Sequence, residues 1–207
     1  RQHKRKQANV STTFWYNEEL NYKFYMVPGI LVLLVTIIGM FLSALNLVRE
    51  KEMGTIEQIN VTPIKKYQFI IGKLIPFLII ALFELSLGLI IGKLLFTIPI
   101  VGSIPLIFGI TIIYLMAVLS LGLLISTLTN TQLQAMFISF FFMLIFLLMS
   151  GLFTAIESMP DWAIQLNVIN PVAHFIKIMR MILLKGSGFI HVYKQVLVLL
   201  IYTSIVL

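Results

Sequence analysis

The chain has 207 residues, 59% hydrophobic and 11% charged, with a formal net charge of +7 and a mean hydropathy of +1.02. So apolar a chain has too little polar surface to cover itself in water, which excludes a soluble globular domain. The absence of cysteine excludes disulfides and thiolate metal sites.

Residues 11–29 open the pattern with Phe14, Trp15, Tyr16, Tyr22 and Phe24 ahead of Tyr25 and Pro28. Rings with polar tips collect at the membrane–water boundary. They read either as a belt anchoring the first span or as a lateral gate touching an amphiphilic substrate. Pro28 suits the first turn of a helix, where its missing N–H is harmless. Five apolar runs follow. Pro28 to Leu47 carries no charge, Leu74 to Gly92 only Glu84, and Ile104 to Leu128 and Ala135 to Phe153 none, while Val196 to Leu207 is apolar to its last residue. A helix needs roughly 20 such residues to cross a bilayer, and backbone amides in lipid must bond within their own segment. The prediction is an all-α integral membrane protein: a polytopic transmembrane helical bundle with four full spans and a fifth cut short. Starting at Arg1 and stopping in an apolar run, the chain reads as a fragment.

Between the first two runs lie Arg49, Glu50, Lys51, Glu52 and Glu57, with Val48, Met53, Ile56 and Ile59 as an apolar stripe. The spacing predicts one helix over 48–59, about 18 Å long. Gly54 in its middle would cost about 1 kcal/mol against alanine, a cost that a closely approaching partner backbone would explain. Asn60, Thr62 and Pro63 end it. Physics alone leaves two readings. One is an amphipathic helix at the membrane surface offered to a groove in another protein, and the other an ordinary charged loop.

Glu84, mid-span, is either a hydrogen-bonded structural acid facing the bundle or a functional group pairing with a cation or substrate. Gly88-x-x-x-Gly92 allows close helix approach. Thr129 to Gln134 reads as a polar connector. In the stretch 154–191, Ser158-Met-Pro-Asp161 has the form of a capping-box helix start. Asn170-Pro171 is a second start, with a stop before Gly186 and Gly188. The second helix is too short to span. His174, Lys177 and Arg180 recur along it at every third position, which suits an interfacial helix with snorkelling cations or a re-entrant pair.

Counting spans places 48–72 and 129–134 on one side of the membrane, and the first residues, 93–103 and 154–191 on the other. The bias of lysine and arginine does not decide which side is cytoplasmic once long segments are discounted.

Three wordings resemble a known family. The run from Arg49 through Gly54-Thr55, Glu57 and Thr62-Pro63 is similar to the coupling segment of ABC-2 type transporter permeases. Trp15, Tyr16, Asn17, Leu20, Tyr25, Met26, Pro28 and Gly29 match the family's entry into its second transmembrane helix. Ser150-Gly151 through Pro171, with Pro160, Asn170 and Pro171, matches its external hairpin. The resemblance is to the multidrug-export branch. It implies that residues 1–27 end an extracytoplasmic segment and that 28–207 form the transmembrane domain. It also implies a cytoplasmic coupling helix at about 48–61 and an external re-entrant helical hairpin at about 154–188. By the same resemblance Arg49, Glu50, Lys51, Glu52, Met53, Gly54, Thr55 and Glu57 would contact cytosolic ABC ATPase subunits. A second permease subunit, identical or not, would lie alongside in a multi-pass cell (inner or plasma) membrane assembly. Glu84 is the substrate-path candidate.

The chain carries no Walker A loop, since Gly72-Lys73 and Gly92-Lys93 are followed by leucine. It has no H-E-x-x-H or G-x-S-x-G, and Asp161 is its one aspartate. No catalytic residue, metal site or cofactor is expected. Its scattered cations suit lipid headgroups and not nucleic acid. The competing readings are an ion-coupled secondary transporter or channel with Glu84 as relay, and a non-transporting scaffold.

Overall fold

The computed structural model describes residues 22–55, 63, 65–153 and 156–206, and among these it is helical throughout apart from short connections. Helix α1 is Tyr22–Glu52, α2 Lys66–Leu94, α3 Ile104–Leu128, α4 Gln132–Met149, α5 Asp161–Asn167, α6 Pro171–Lys185 and α7 Phe189–Val206. Five of them (α1, α2, α3, α4 and α7) are long and apolar enough to cross a membrane.

Two span boundaries differ from the sequence reading. Helix α1 begins at Tyr22, so Pro28 lies inside it and the expected domain limit at 27/28 falls within a continuous helix. The aromatic residues Tyr22, Phe24 and Tyr25 are thus the first turns of the span, while residues 1–21 lie outside the described ones. The last span starts at Phe189 and not Val196. His191 and Lys194 are exposed at its end, where long side chains reach the interface without interrupting the helix.

Helices α1 and α3 form the centre. They run in the same direction, as Thr36 meets Tyr114, Ser43 meets Leu119 and Lys51 meets Ser126. In lipid there is little hydrophobic drive to bring helices together, so small residues and interhelical hydrogen bonds decide where they touch. Ser43 Oγ donates to the Leu119 carbonyl at 3.0 Å. A Cβ on Gly122 would stand 2.8 Å from the Met40 carbonyl oxygen, and one on Gly39 3.2 Å from Val118. The predicted contact at Gly88 is also present: a Cβ there would lie 2.3 Å from Leu31 of α1, whereas Gly92 has ordinary clearance from Val27. Helices α2, α4 and α7 pack around this pair and turn Ile79, Phe83, Phe137, Phe141, Leu197 and Ile201 outward, toward what would be lipid.

Helices α5 and α6 form a pair bent by 79°. The pair leaves and returns at one end of the bundle: Gly151 sits beside Tyr25 at the start of α1, and Leu183 accepts from Val101 N at 3.0 Å. Between those points it dips inward. Phe175 is fully buried and stacks on Tyr114 with centroids 4.0 Å apart. Tyr114 lies ten residues, about 15 Å, along α3 from Ile104. The geometry is that of a re-entrant hairpin. Asn170 caps α6 as expected, accepting from Val172 N and Ala173 N, and its Nδ2 donates to the Phe146 carbonyl at 2.8 Å. Gly186 stops α6 with a φ of 62°. The start of α5 differs: its N-cap is Pro160, and Ser158 lies in a 3-10 turn before it. Far from floating at the interface, α6 is among the most buried elements, because its apolar face fills the space between α1, α3 and α4.

Candidate functional site

The charged run of residues 49–52 is the last turn of α1 and not the start of a separate helix. Gly54 follows with a φ of 70°, a left-handed geometry that costs a residue with a Cβ about 1–2 kcal/mol. Gly54 therefore terminates α1 where the sequence predicts mid-helix. Among the described residues nothing lies within 4 Å of a Cβ built on it, and its left-handed conformation is itself a reason for glycine. Helical backbone resumes at Thr55. Glu57 and the remainder of the expected 48–61 helix lie outside the described residues.

Consecutive helical residues point about 100° apart, so Glu50, Lys51 and Glu52 face three directions. Each meets a different helix. Glu50 forms a salt bridge with Lys73 of α2. Lys51 Nζ donates to the Ser126 carbonyl and, at 3.2 Å, to that of Thr129. Those are carbonyls of the last turn and C-cap of α3, which have no partner within the helix and carry its negative pole. Glu52 accepts from Gln132 N at 2.8 Å and from Gln132 Nε2. Gln132 opens α4, so the carboxylate meets that helix's positive pole. The order acid, base, acid thus matches a cation of α2, a helix C-terminus and a helix N-terminus. The turn at 129–134, expected to be a mere connector, is the receiving surface for two of these contacts.

The outward face differs. Arg49 and Met53, four residues apart, share one side of the turn, and both are exposed, Met53 at 55%. Beside Arg49 a notch of about 150 Å³ opens between α1, α2 and α4, lined by Leu42, Asn46, Phe77 and Gln132. The run thus divides into residues that clamp the bundle (Glu50, Lys51, Glu52) and residues it presents outside (Arg49, Met53).

Glu84 is half-buried on α2, and its Oε2 has no hydrogen-bond partner among the described residues. The pairing cation that one of its readings called for is not found among the described residues either.

Arg180 is the residue that sequence reasoning undervalued. Its spacing suits a snorkelling cation or part of a re-entrant pair, and its guanidinium lies 3.7 Å from the Tyr25 ring centroid. Its Nε donates to the Tyr25 carbonyl at 3.3 Å, and Nη1 and Nη2 to that of Gly151 at 3.3 and 3.4 Å. Tyr25 Oη donates to the same Gly151 carbonyl at 2.5 Å. One side chain therefore ties the hairpin to α1 and to the segment after α4. The signal available in sequence is the presence of Tyr25 and Gly151 in two of the three matched wordings. Arg180→Gln should weaken this tie by about 1–3 kcal/mol, since charged hydrogen bonds and a cation–π contact are lost together. Limited proteolysis at 154–160 checks it: cleavage should accelerate in the variant, and an unchanged rate would refute the role.

The match to known proteins covers nearly the whole chain. Residues 2–207 match the family model described as ABC-2 family transporter protein. The chain is 38% identical over 190 residues to "Probable multidrug ABC transporter permease YbhR" of Escherichia coli (strain K12), covering 92% of this chain and 52% of that protein. It is 30% identical over 180 residues to "Probable multidrug ABC transporter permease YbhS" of the same strain, covering 86% and 48%. To "ABC transporter G family member 20" of Dictyostelium discoideum it is 27% identical over 187 residues, covering 90% and 25%. The chain spans about half the length of the bacterial relatives it matches. No solved structure matches it. A family match over this length, with five membrane-length helices arranged around a re-entrant hairpin, makes this multi-pass membrane chain a member of the ABC-2 family of transporter proteins.

Proposed function

We propose that the chain is the transmembrane part of an ABC exporter permease, driven by ATP that a separate cytosolic subunit hydrolyses, with a second permease subunit alongside. The observation that carries this reading is the division of the turn at 49–53. A segment that receives force must present some side chains to a partner and be joined rigidly to what it moves. Arg49 and Met53 meet the first requirement. Glu50, Lys51 and Glu52, anchored on α2, α3 and α4, meet the second. Under this reading residues 48–61 face the cytoplasm, and the α5–α6 hairpin closes the external end. The "multidrug" in the relatives' names is the first substrate class to test.

The test uses the full-length permease co-expressed with a cognate ABC ATPase subunit. Arg49→Glu combined with Met53→Asp should weaken co-purification of the ATPase by at least tenfold, equivalent to about 1.4 kcal/mol, because aromatic, methionine and arginine anchors dominate such contacts. The permease itself should remain folded, since neither side chain holds the bundle. Undiminished co-purification with full ATP-driven export would overturn the assignment.

A further inference from the structure

Helices α2 and α3 both pack on α1, and the seam between them is incompletely filled. In the half of the seam nearest the hairpin it opens into a groove of about 310 Å³ lined by Ser86, Leu89, Ile90, Ile104 and Phe108, with Lys93 at its rim. The second hollow in the same seam, of about 130 Å³, is bounded by Ile71, Ile75, Leu78, Met116 and Leu119 with no charged residue. The upper groove has an apolar interior. The hydroxyl of Ser86 is already committed to the Leu82 carbonyl at 2.8 Å, which leaves it no free donor for a polar ligand. Ile90 and Ile104 are about half exposed at its edges, so the groove opens sideways, where lipid would lie. Lys93 is exposed in the last turn of α2, the level at which a lysine stem can lie along apolar surface with its ammonium at the headgroups. From Ser86 to Lys93 the groove runs about 10 Å along the helix, the reach of half an acyl chain.

The end of the bundle around it is basic. Among the described side chains, Lys23, Lys93, Arg180, Lys185 and Lys194 stand there, against Asp161. An apolar furrow open to hydrocarbon, with its single charge a cation at the rim, is complementary to one kind of molecule in a bilayer. We infer that the α2–α3 groove is a binding site for an anionic phospholipid, with one acyl chain between Leu89 and Phe108 and the phosphate on Lys93. The site depends on the chain lying in a membrane and not on the identity of its cytosolic partner.

The probe is a phosphatidylglycerol with brominated tails, compared with a phosphatidylcholine carrying the same tails. Both quench nearby tryptophan. Phe108→Trp is placed in the full-length protein with its co-eluting subunits, reconstituted into nanodiscs, and quenching is read as the increment over the parent protein. Phosphatidylglycerol should win the site over phosphatidylcholine by about fivefold, the effect of one lysine near an anionic headgroup. Lys93→Gln should abolish that preference without altering quenching by phosphatidylcholine. Met116→Trp, in the uncharged lower hollow, should show no headgroup preference. Equal quenching by both lipids, a preference that survives Lys93→Gln, or an absence of quenching because another subunit covers the groove would each overturn the assignment. Reversal of the preference by soluble glycerol phosphate would also overturn it, since the site would then be one for a free anion.

Discussion

Replacing Gly122 with valine should abolish recovery of folded protein. The position sits where α1 and α3 cross, and a Cβ there would lie 2.7 Å from Ser43 Cβ and 2.8 Å from the Met40 carbonyl oxygen. The second of these neighbours is backbone, so no side-chain rotation relieves the clash and the helices must separate. Separation breaks the Ser43–Leu119 hydrogen bond at 3.0 Å and the Thr36–Tyr114 contact at 2.5 Å, leaving buried polar groups in an apolar surrounding. Overpacking alone costs about 1–3 kcal/mol, and the lost hydrogen bonds add to it. Alanine at the same position should be intermediate. Gly109 on the same helix provides the control, since no described residue lies within 4 Å of a Cβ there. Gly109→Ala should leave stability unchanged or raise it by up to about 1 kcal/mol through helix propensity. Fluorescence-detected size exclusion after solubilisation separates the three variants. A monodisperse Gly122→Val protein with wild-type thermal stability would show that the α1–α3 crossing is not the organising contact of the bundle.

The second large effect is expected at Lys51. Lys51→Glu removes the cation from the C-terminal carbonyls of α3 and sets a third acid beside Glu50 and Glu52. A carboxylate facing the negative pole of a helix is unfavourable, and the charge-assisted hydrogen bonds that are lost contribute about 1.5–3 kcal/mol. The end of α3 should detach from α1 while Arg49 and Met53 stay in place. The expected phenotype is therefore uncoupling: the ATPase still co-purifies and hydrolyses ATP, but export per ATP falls by tenfold or more. Lys51→Gln, which can still donate to a carbonyl, should lose less, and Lys51→Arg least. This pattern is the reverse of that expected for Arg49→Glu with Met53→Asp, where association itself fails. Export at the wild-type rate in Lys51→Glu would show that force does not pass through this contact. Loss of ATPase association in the same variant would merge the two sets of residues and remove the division proposed between them.

Much of the architecture was legible in one dimension. The apolar runs mark the spans because lipid forces the backbone of each run to bond within itself, so a span is a property of consecutive residues. Asn170, Pro171 and Gly186 mark the ends of α6 for the same reason: capping is settled within a few residues of the helix terminus. The two boundary differences share a cause too. Tyr22 to Val27 and Phe189 to Gln195 are polar enough to fall outside an apolar window, yet a helix already begun continues through them at little cost. Gly54 ends α1 where the sequence predicts mid-helix because glycine both tolerates helix and ends it, and its φ of 70° is not visible in its neighbours' identities.

By itself the sequence determined that this chain is a bundle of membrane-spanning helices with one charged turn at one end and a helical hairpin at the other. Only the tertiary structure decided what the charges do. Lys51 finds its carbonyl 75 residues away, Glu52 its amide 80 away and Arg180 its tyrosine 155 away. Hydropathy and periodicity are local and constrain which face a residue occupies, whereas the partner of a charge depends on which helix end the packing brings beside it.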